Sequence, residues 1–129
     1  MNSEKILVVD DEEAILKLLK IDLETEGYEV FTAKTGQEAI RKTWNTSPDL
    51  ILMDVMLPDM NGGEVVKALK ANPSTSQTPI LFLTALCSKD DERGQVELNV
   101  DNQRYLTLAK PFSAKELLTR IKNILQKKY

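Results

Sequence analysis

Lys5-Ile6-Leu7-Val8-Val9-Asp10-Asp11 is a short apolar run that stops on two carboxylates. The same form returns further along. Leu50-Ile51-Leu52-Met53 stops on Asp54, Ile80-Leu81-Phe82-Leu83 on Thr84, and Tyr105-Leu106-Thr107-Leu108-Ala109 on Lys110, with Pro111 behind it. Apolar runs this short, with such flanks, read as strands. As parallel strands of one sheet they would bring three carboxylates, a hydroxyl and an ammonium to its C-terminal edge. Open α/β sheets bind their ligands at that edge. Taken alone, an Asp pair after a strand can be no more than a helix N-cap with an acidic first turn, and each other ending has a reading as plain. Together at one edge they read better as a site.

Segments of helical period lie between the runs. Ile15, Leu18, Leu19 and Leu23 form one stripe, Gly27 stops it, and Tyr28 to Ala33 reads as a further strand. Thr35-Gly36-Gln37-Glu38 has capping-box spacing. It opens a helix that turns Ala39, Ile40 and either Thr43 or Trp44 inward, and Pro48-Asp49 closes that connection. Gly62 or Gly63 opens a helix with the stripe Val65, Val66 and Leu69; Asn72 to Ser76 is turn chemistry, and Pro79 leads into the next run. Ser88 with Asp91, and Ser113 with Glu116, are further capping-box candidates. The last helix carries Leu117, Leu118, Ile121, Ile124 and Leu125 on one face.

The expected chain is one α/β domain over residues 1–129, five strands alternating with five helices. Such alternation implies a parallel sheet covered on both faces. Right-handed crossovers leave few topologies, and of these the flavodoxin-like, doubly wound (βα)5 sandwich with strand order 2-1-3-4-5 is expected. In that order the first and third strands are neighbours, and Asp10, Asp11 and Asp54 converge. The stretch from Arg93 to Gln103 fits least well. Val96, Leu98 and Val100 alternate instead of stepping by helical period, and Gly94 weakens a helix. The fourth helix is therefore expected to be short or irregular.

Composition narrows the class. At 129 residues, with 42% hydrophobic and 29% charged residues, the chain can bury its own core. A net charge of −3 speaks against a nucleic-acid surface, which needs clustered Lys and Arg. Cys87 is the one cysteine, so no internal disulfide forms, and a reducing cytoplasm is the expected compartment. No run is long enough to span a bilayer, and the first residues do not form a signal peptide. With no histidine, imidazole catalysis and imidazole ligation are excluded.

Crowded carboxylates either hold a proton or share a cation. An all-oxygen set suits a hard ion such as Mg²⁺, which commonly takes one or two carboxylates plus waters and a phosphate. A carboxylate can also be the nucleophile toward phosphorus, giving an aspartyl-phosphate. That reaction asks mainly for positioning and for neutralisation of the phosphoryl oxygens. Lys110 offers positive charge for this, and Thr84 a hydrogen bond.

The chain resembles the receiver domains of two-component response regulators from Ile6 to the final helix. The resemblance rests on Val8-Val9-Asp10-Asp11-Glu12, on Asp54-Val55-Met56-Leu57-Pro58-Asp59-Met60-Asn61-Gly62, on Leu83-Thr84-Ala85 and on Lys110-Pro111-Phe112. It implies that Asp54 is the phosphoacceptor, served by a sensor histidine kinase or a phosphotransfer protein. It implies Mg²⁺ held directly by Asp11, Asp54 and the backbone carbonyl of Met56, with Asp10 acting through water. Thr84, Ala85 and Lys110 would surround the phosphoryl oxygens, Ala85 being small enough not to crowd them. A cis peptide at Pro111 would turn Lys110 into the site. Output would pass through the fourth helix, fifth strand and fifth helix to a partner, with no nucleic acid or membrane contacted, from a monomer or weak dimer. Met56 and Leu86 sit where such domains tune hydrolysis, and two apolar residues there imply a slowly decaying phosphate.

One stretch departs from the family pattern. Thr84 to Lys110 is longer than usual, and the usual Gly-Ala-Asp turn appears as Asn99-Val100-Asp101-Asn102, where Asn99 or Asn102 would supply the positive φ. The switch aromatic three residues before the lysine is Thr107 here. Tyr105 lies on the same side of the strand by period-two geometry, but the sequence favours a switch without its aromatic part. Three rivals are kept: a fragment of a larger regulator, a degenerate receiver used only for binding, and a small Mg²⁺-dependent phosphohydrolase. The last would want an acid two residues after the nucleophile, where Met56 stands.

Overall fold

The apolar runs become strands, and their period-two alternation gives the sheet two dry faces. The computed structural model describes residues 3–84, 97–100, 103–110 and 112–126. Its elements are β1 (Lys5–Val9), α1 (Glu13–Thr25), β2 (Glu29–Ala33), α2 (Gly36–Thr46), β3 (Leu50–Asp54), α3 (Gly62–Lys70), β4 (Ile80–Thr84), β5 (Glu97–Val100), β6 (Gln103–Ala109) and α4 (Ala114–Gln126). Ile6, Val8, Leu50, Leu52, Leu81, Leu83 and Leu108 pack on one face with α1 and α4. Leu7, Val9, Ile51, Met53, Phe82 and Tyr105 pack on the other with α2 and α3.

Five parallel strands lie in the expected order, and the sheet as a whole runs β2-β1-β3-β4-β6-β5. The sixth strand departs from the expected strict alternation: β5 pairs antiparallel with β6 at the edge. The alternation of Leu98 and Val100 was strand period, and Asn99, pairing with Arg104 inside that ladder, is not a positive-φ turn residue. The described residue other than glycine that does take positive φ is Ser47, at 49°, ending α2. β6 changes neighbour along its length. Gln103 to Leu106 are in register with β5, whereas Thr107 to Ala109 are in register with β4. The body of the expected fourth helix, with Ser88, Asp91, Cys87 and Leu86, falls outside the described residues, as do Ala85, Asn102 and Pro111. Four helices are therefore described.

One helix face needs correction, and on another the structure decides an open choice. On α1 the buried residues are Leu16, Leu19 and Leu23, Ile15 is half-buried, and Leu18 is 59% exposed. α1 carries aliphatic side chains on more than one face, and the sheet takes the stripe with i, i+3, i+7 spacing. On α2 the inward residue is Thr43, whose hydroxyl is satisfied by the carbonyl of Ala39 at 2.7 Å, and Trp44 is exposed. A small residue with its polar atom bonded inside its own helix can lie flat against the sheet.

The caps follow the sequence signals. Thr35 caps α2 by accepting from the Glu38 N–H, and Glu38 reaches back to the Lys34 N–H. Ser113 and Glu116 form a complete reciprocal box at α4. Asn61 and Glu64 form another at α3, which fixes Gly62 as its first residue.

Candidate functional site

Register decides what meets at the C-terminal edge. Val9 pairs with Met53, Asp54 with Leu83, and Thr84 with Ala109, so Asp10, Asp54, Thr84 and Lys110 end their strands side by side. The backbone continues this alignment. The Asp10 N–H donates to the Ala33 carbonyl at 3.1 Å, and the Lys110 N–H to the Thr84 carbonyl at 2.9 Å.

The side chains then converge. The Lys110 ammonium donates to Asp10 Oδ2 at 2.9 Å and to Asp54 Oδ2 at 3.1 Å, bridging two carboxylates from different strands. The remaining oxygens are held by the backbone: Asp10 Oδ1 accepts from the Glu12 N–H at 2.9 Å, and Asp54 Oδ1 from the Met56 N–H at 3.1 Å. Asp10 is fully buried, Asp54 half-buried and Asp11 exposed, and one oxygen from each lies within 4.8 Å of the others. Thr84 is buried beside them. Burial alone would pull the Lys110 ammonium toward losing its proton. The hydrogen bonds and charges of Asp10 and Asp54 outweigh that and hold its pKa above the ordinary lysine value.

Three carboxylates against one ammonium leave two negative charges uncompensated. The all-oxygen donor set, graded from buried to exposed, fits a hard divalent cation approached from solvent. Met56 is 62% exposed at the rim, so the position two residues after Asp54 offers no acid to the site.

Asp59 escaped the sequence reading. Its carboxylate leaves the loop after β3 and accepts from the Gly36 N–H at 2.7 Å and the Gln37 N–H at 3.0 Å, at the start of α2. Those bonds hold its pKa below the usual carboxylate value. Backbone amides far along the chain carry no sequence signature. The Asn61 box, by contrast, had one in its Asn-x-x-Glu spacing. Tyr105 and Thr107 are both buried, Tyr105 edge-on to Phe82 with ring centres 5.8 Å apart.

Residues 6–122 match the family model of the response regulator receiver domain. The chain belongs to the response regulator receiver family. This receiver is 46% identical, over 97% of its length, to the alkaline phosphatase synthesis transcriptional regulatory protein PhoP of Bacillus subtilis (strain 168), and it spans 50% of that relative. The chemotaxis response regulator CheY4 of Vibrio cholerae superimposes with a TM-score of 0.78 at 33% identity, covering 95% of this chain and 99% of that one. The receiver domain of the sensor histidine kinase PA1611 of Pseudomonas aeruginosa PAO1 does so with a TM-score of 0.75 at 28% identity, covering 98% of this chain and 97% of that one. That structure has a magnesium ion coordinated in its active-site cleft. The fold and family place the chain in two-component signalling, whose receivers interact with histidine kinases and phosphotransfer proteins. No helix among the described residues is long and apolar enough to cross a membrane.

Proposed function

We propose that Asp54 accepts a phosphoryl group from the phosphohistidine of a sensor kinase or phosphotransfer protein, and that residues 1–129 act as one receiver domain in the cytoplasm. The observation that carries this reading is the Lys110 ammonium bonded to both Asp54 and Asp10, with Asp11 close by. An Asp54 carboxylate oxygen forms the new O–P bond while the donor's N–P bond breaks, and the imidazole nitrogen leaves with the bonding pair. Lys110 turns from the carboxylates toward the phosphoryl oxygens and neutralises charge there. Thr84 donates its hydroxyl to another oxygen, and the residue after it in sequence, Ala85, is small enough not to crowd the group. When bound, Mg²⁺ would be held by Asp11, Asp54 and the Met56 carbonyl, with Asp10 acting through water, and would neutralise the oxygens that Lys110 does not reach. The Met56 N–H keeps Asp54 oriented for attack.

Phosphorylation adds about −1.5 to −2 charge units beside Thr84 and Lys110. In this reading they pass the change to β6 and α4, part of the surface that meets an output partner. Thr107 stands where an aromatic switch residue is usual, and Tyr105 is already enclosed by Phe82, so the switch runs without an aromatic rotor. The domain acts as a monomer or weak dimer, and apolar Met56 and Leu86 make the phosphate slow to hydrolyse.

Incubation with acetyl phosphate and Mg²⁺, followed by intact-mass measurement, tests the reading. Wild type gains one phosphoryl adduct and Asp54→Asn gains none. An equal adduct on both proteins, or none on wild type, overturns it.

A further inference from the structure

The loop from Val55 to Gly62 carries Met56, whose N–H holds one oxygen of Asp54. It is a small closed structure. The Gly62 N–H donates to the Val55 carbonyl at 2.7 Å, the Leu57 N–H to the Met60 carbonyl at 3.2 Å, and Met56 bridges antiparallel to Asn61. Pro58 and Asp59 form its tip, and that tip is fastened to a different element. Both Asp59 oxygens accept from the first amides of α2, and Met60 packs over Gly36 so tightly that a Cβ there would meet Met60 Cγ at 2.3 Å. Thr35 bonds the Glu38 N–H, and Asp59 serves two further first-turn amides, so the bonds that fasten the loop also help to cap α2. The latch therefore ties the loop and the helix to each other.

We propose that Asp59 is a positioning residue of the phosphoacceptor site, clamping the loop tip to α2 so that Met56 holds Asp54 in place and offers its carbonyl to the cation. The inference rests on the phosphoacceptor reading above and adds a residue that touches neither phosphate nor metal. The chain of contact is continuous: α2 amides, Asp59 carboxylate, the closed loop, the Met56 N–H, and Asp54 Oδ1. With the tip released, the stem carrying Met56 samples more orientations, and both the carboxylate and the carbonyl lose definition. Residues that orient ligands without touching the metal commonly alter its affinity by about tenfold or more.

The test compares wild type, Asp59→Ala and Asp59→Asn. Asn keeps an oxygen for the Gly36 amide and loses the second acceptor. Mg²⁺ affinity is measured by calorimetry on the unphosphorylated proteins, and phosphorylation rate by intact mass at fixed acetyl phosphate across Mg²⁺ concentrations. Asp59→Ala should weaken Mg²⁺ binding about tenfold and raise the half-saturating Mg²⁺ for phosphorylation by the same factor, with a lower rate at saturating Mg²⁺ as well, because Asp54 also loses its orientation. Asp59→Asn should fall between, and it carries the test alone if Asp59→Ala does not fold. Wild-type Mg²⁺ affinity in the variant overturns the inference, as does an equal loss of rate at every Mg²⁺ concentration. Failure of wild type itself to bind Mg²⁺ or gain phosphate overturns the phosphoacceptor reading, and this inference with it.

Discussion

Asp10 has no solvent contact, and the group that makes its charge tolerable comes from the last strand of the parallel sheet, Lys110. Removing one member of a buried ion pair strands the other, which costs roughly 3–5 kcal/mol when both are enclosed. Here the Lys110 and Asp54 side chains keep 18% and 16% of their exposure, so water softens the loss. Lys110→Met keeps the apolar stem and removes the ammonium. It should lower stability in metal-free urea unfolding by about 2 kcal/mol, and saturating Mg²⁺ should restore part of that. Lys110's folded pKa is raised, so its contribution is complete below the unfolded lysine value of about 10.4 and fades only as pH rises through the folded value. Neutral pH lies well inside the stable side.

At the scale of elements, the start of α2 gathers two carboxylates with lowered pKa values. Glu38 is lowered first by its bond from the Lys34 N–H, and Asp59 by those from Gly36 and Gln37. Depressed carboxylates give stability that is full above their unfolded values, about 4.3 and 3.9, and is lost as pH falls through the folded ones. Below about pH 4, the urea midpoint of wild type should therefore drop more steeply than that of an Asp59→Ala, Glu38→Gln double variant, and the two curves should approach one another. Caps of this local kind were legible at Thr35 and Ser113, because acceptor and donor lie within a few residues. The Asp59 latch was not, because its donors are unspecialised amides on another helix. The face of α1 was misread for a different reason. Ile15, Leu16, Leu18, Leu19, Ile21 and Leu23 populate more than one stripe, and only the sheet decides between them.

For the whole molecule, the sheet edge was readable because four of the strands run out on a polar residue whose type betrays its use. Handedness and alternation then left a few parallel orders, among them the observed one, and register brought Asp10, Asp54, Thr84 and Lys110 level. The antiparallel β5 was only hinted at by the alternation of Leu98 and Val100, since a βα pattern makes no provision for an extra strand. Because β6 divides its pairing between two neighbours, its halves should open independently. A Leu98→Pro, Asn99→Pro double variant, at adjacent positions of which one amide must face β6, should speed amide exchange across Gln103 to Leu106. Thr107 to Ala109, beside β4, should stay protected. Uniform loss of protection along β6 would show that the two ladders form one cooperative unit.

That extra strand also bears on solubility. A sheet ending on β6 would present a seven-residue strand with unpaired amides and carbonyls, a template on which other chains could add. β5 takes up part of that row and leaves a strand of four residues outermost, too short to recruit a neighbour strongly. The same ladder that departs from strict alternation thus guards this edge of the sheet against growing, strand by strand, into an aggregate.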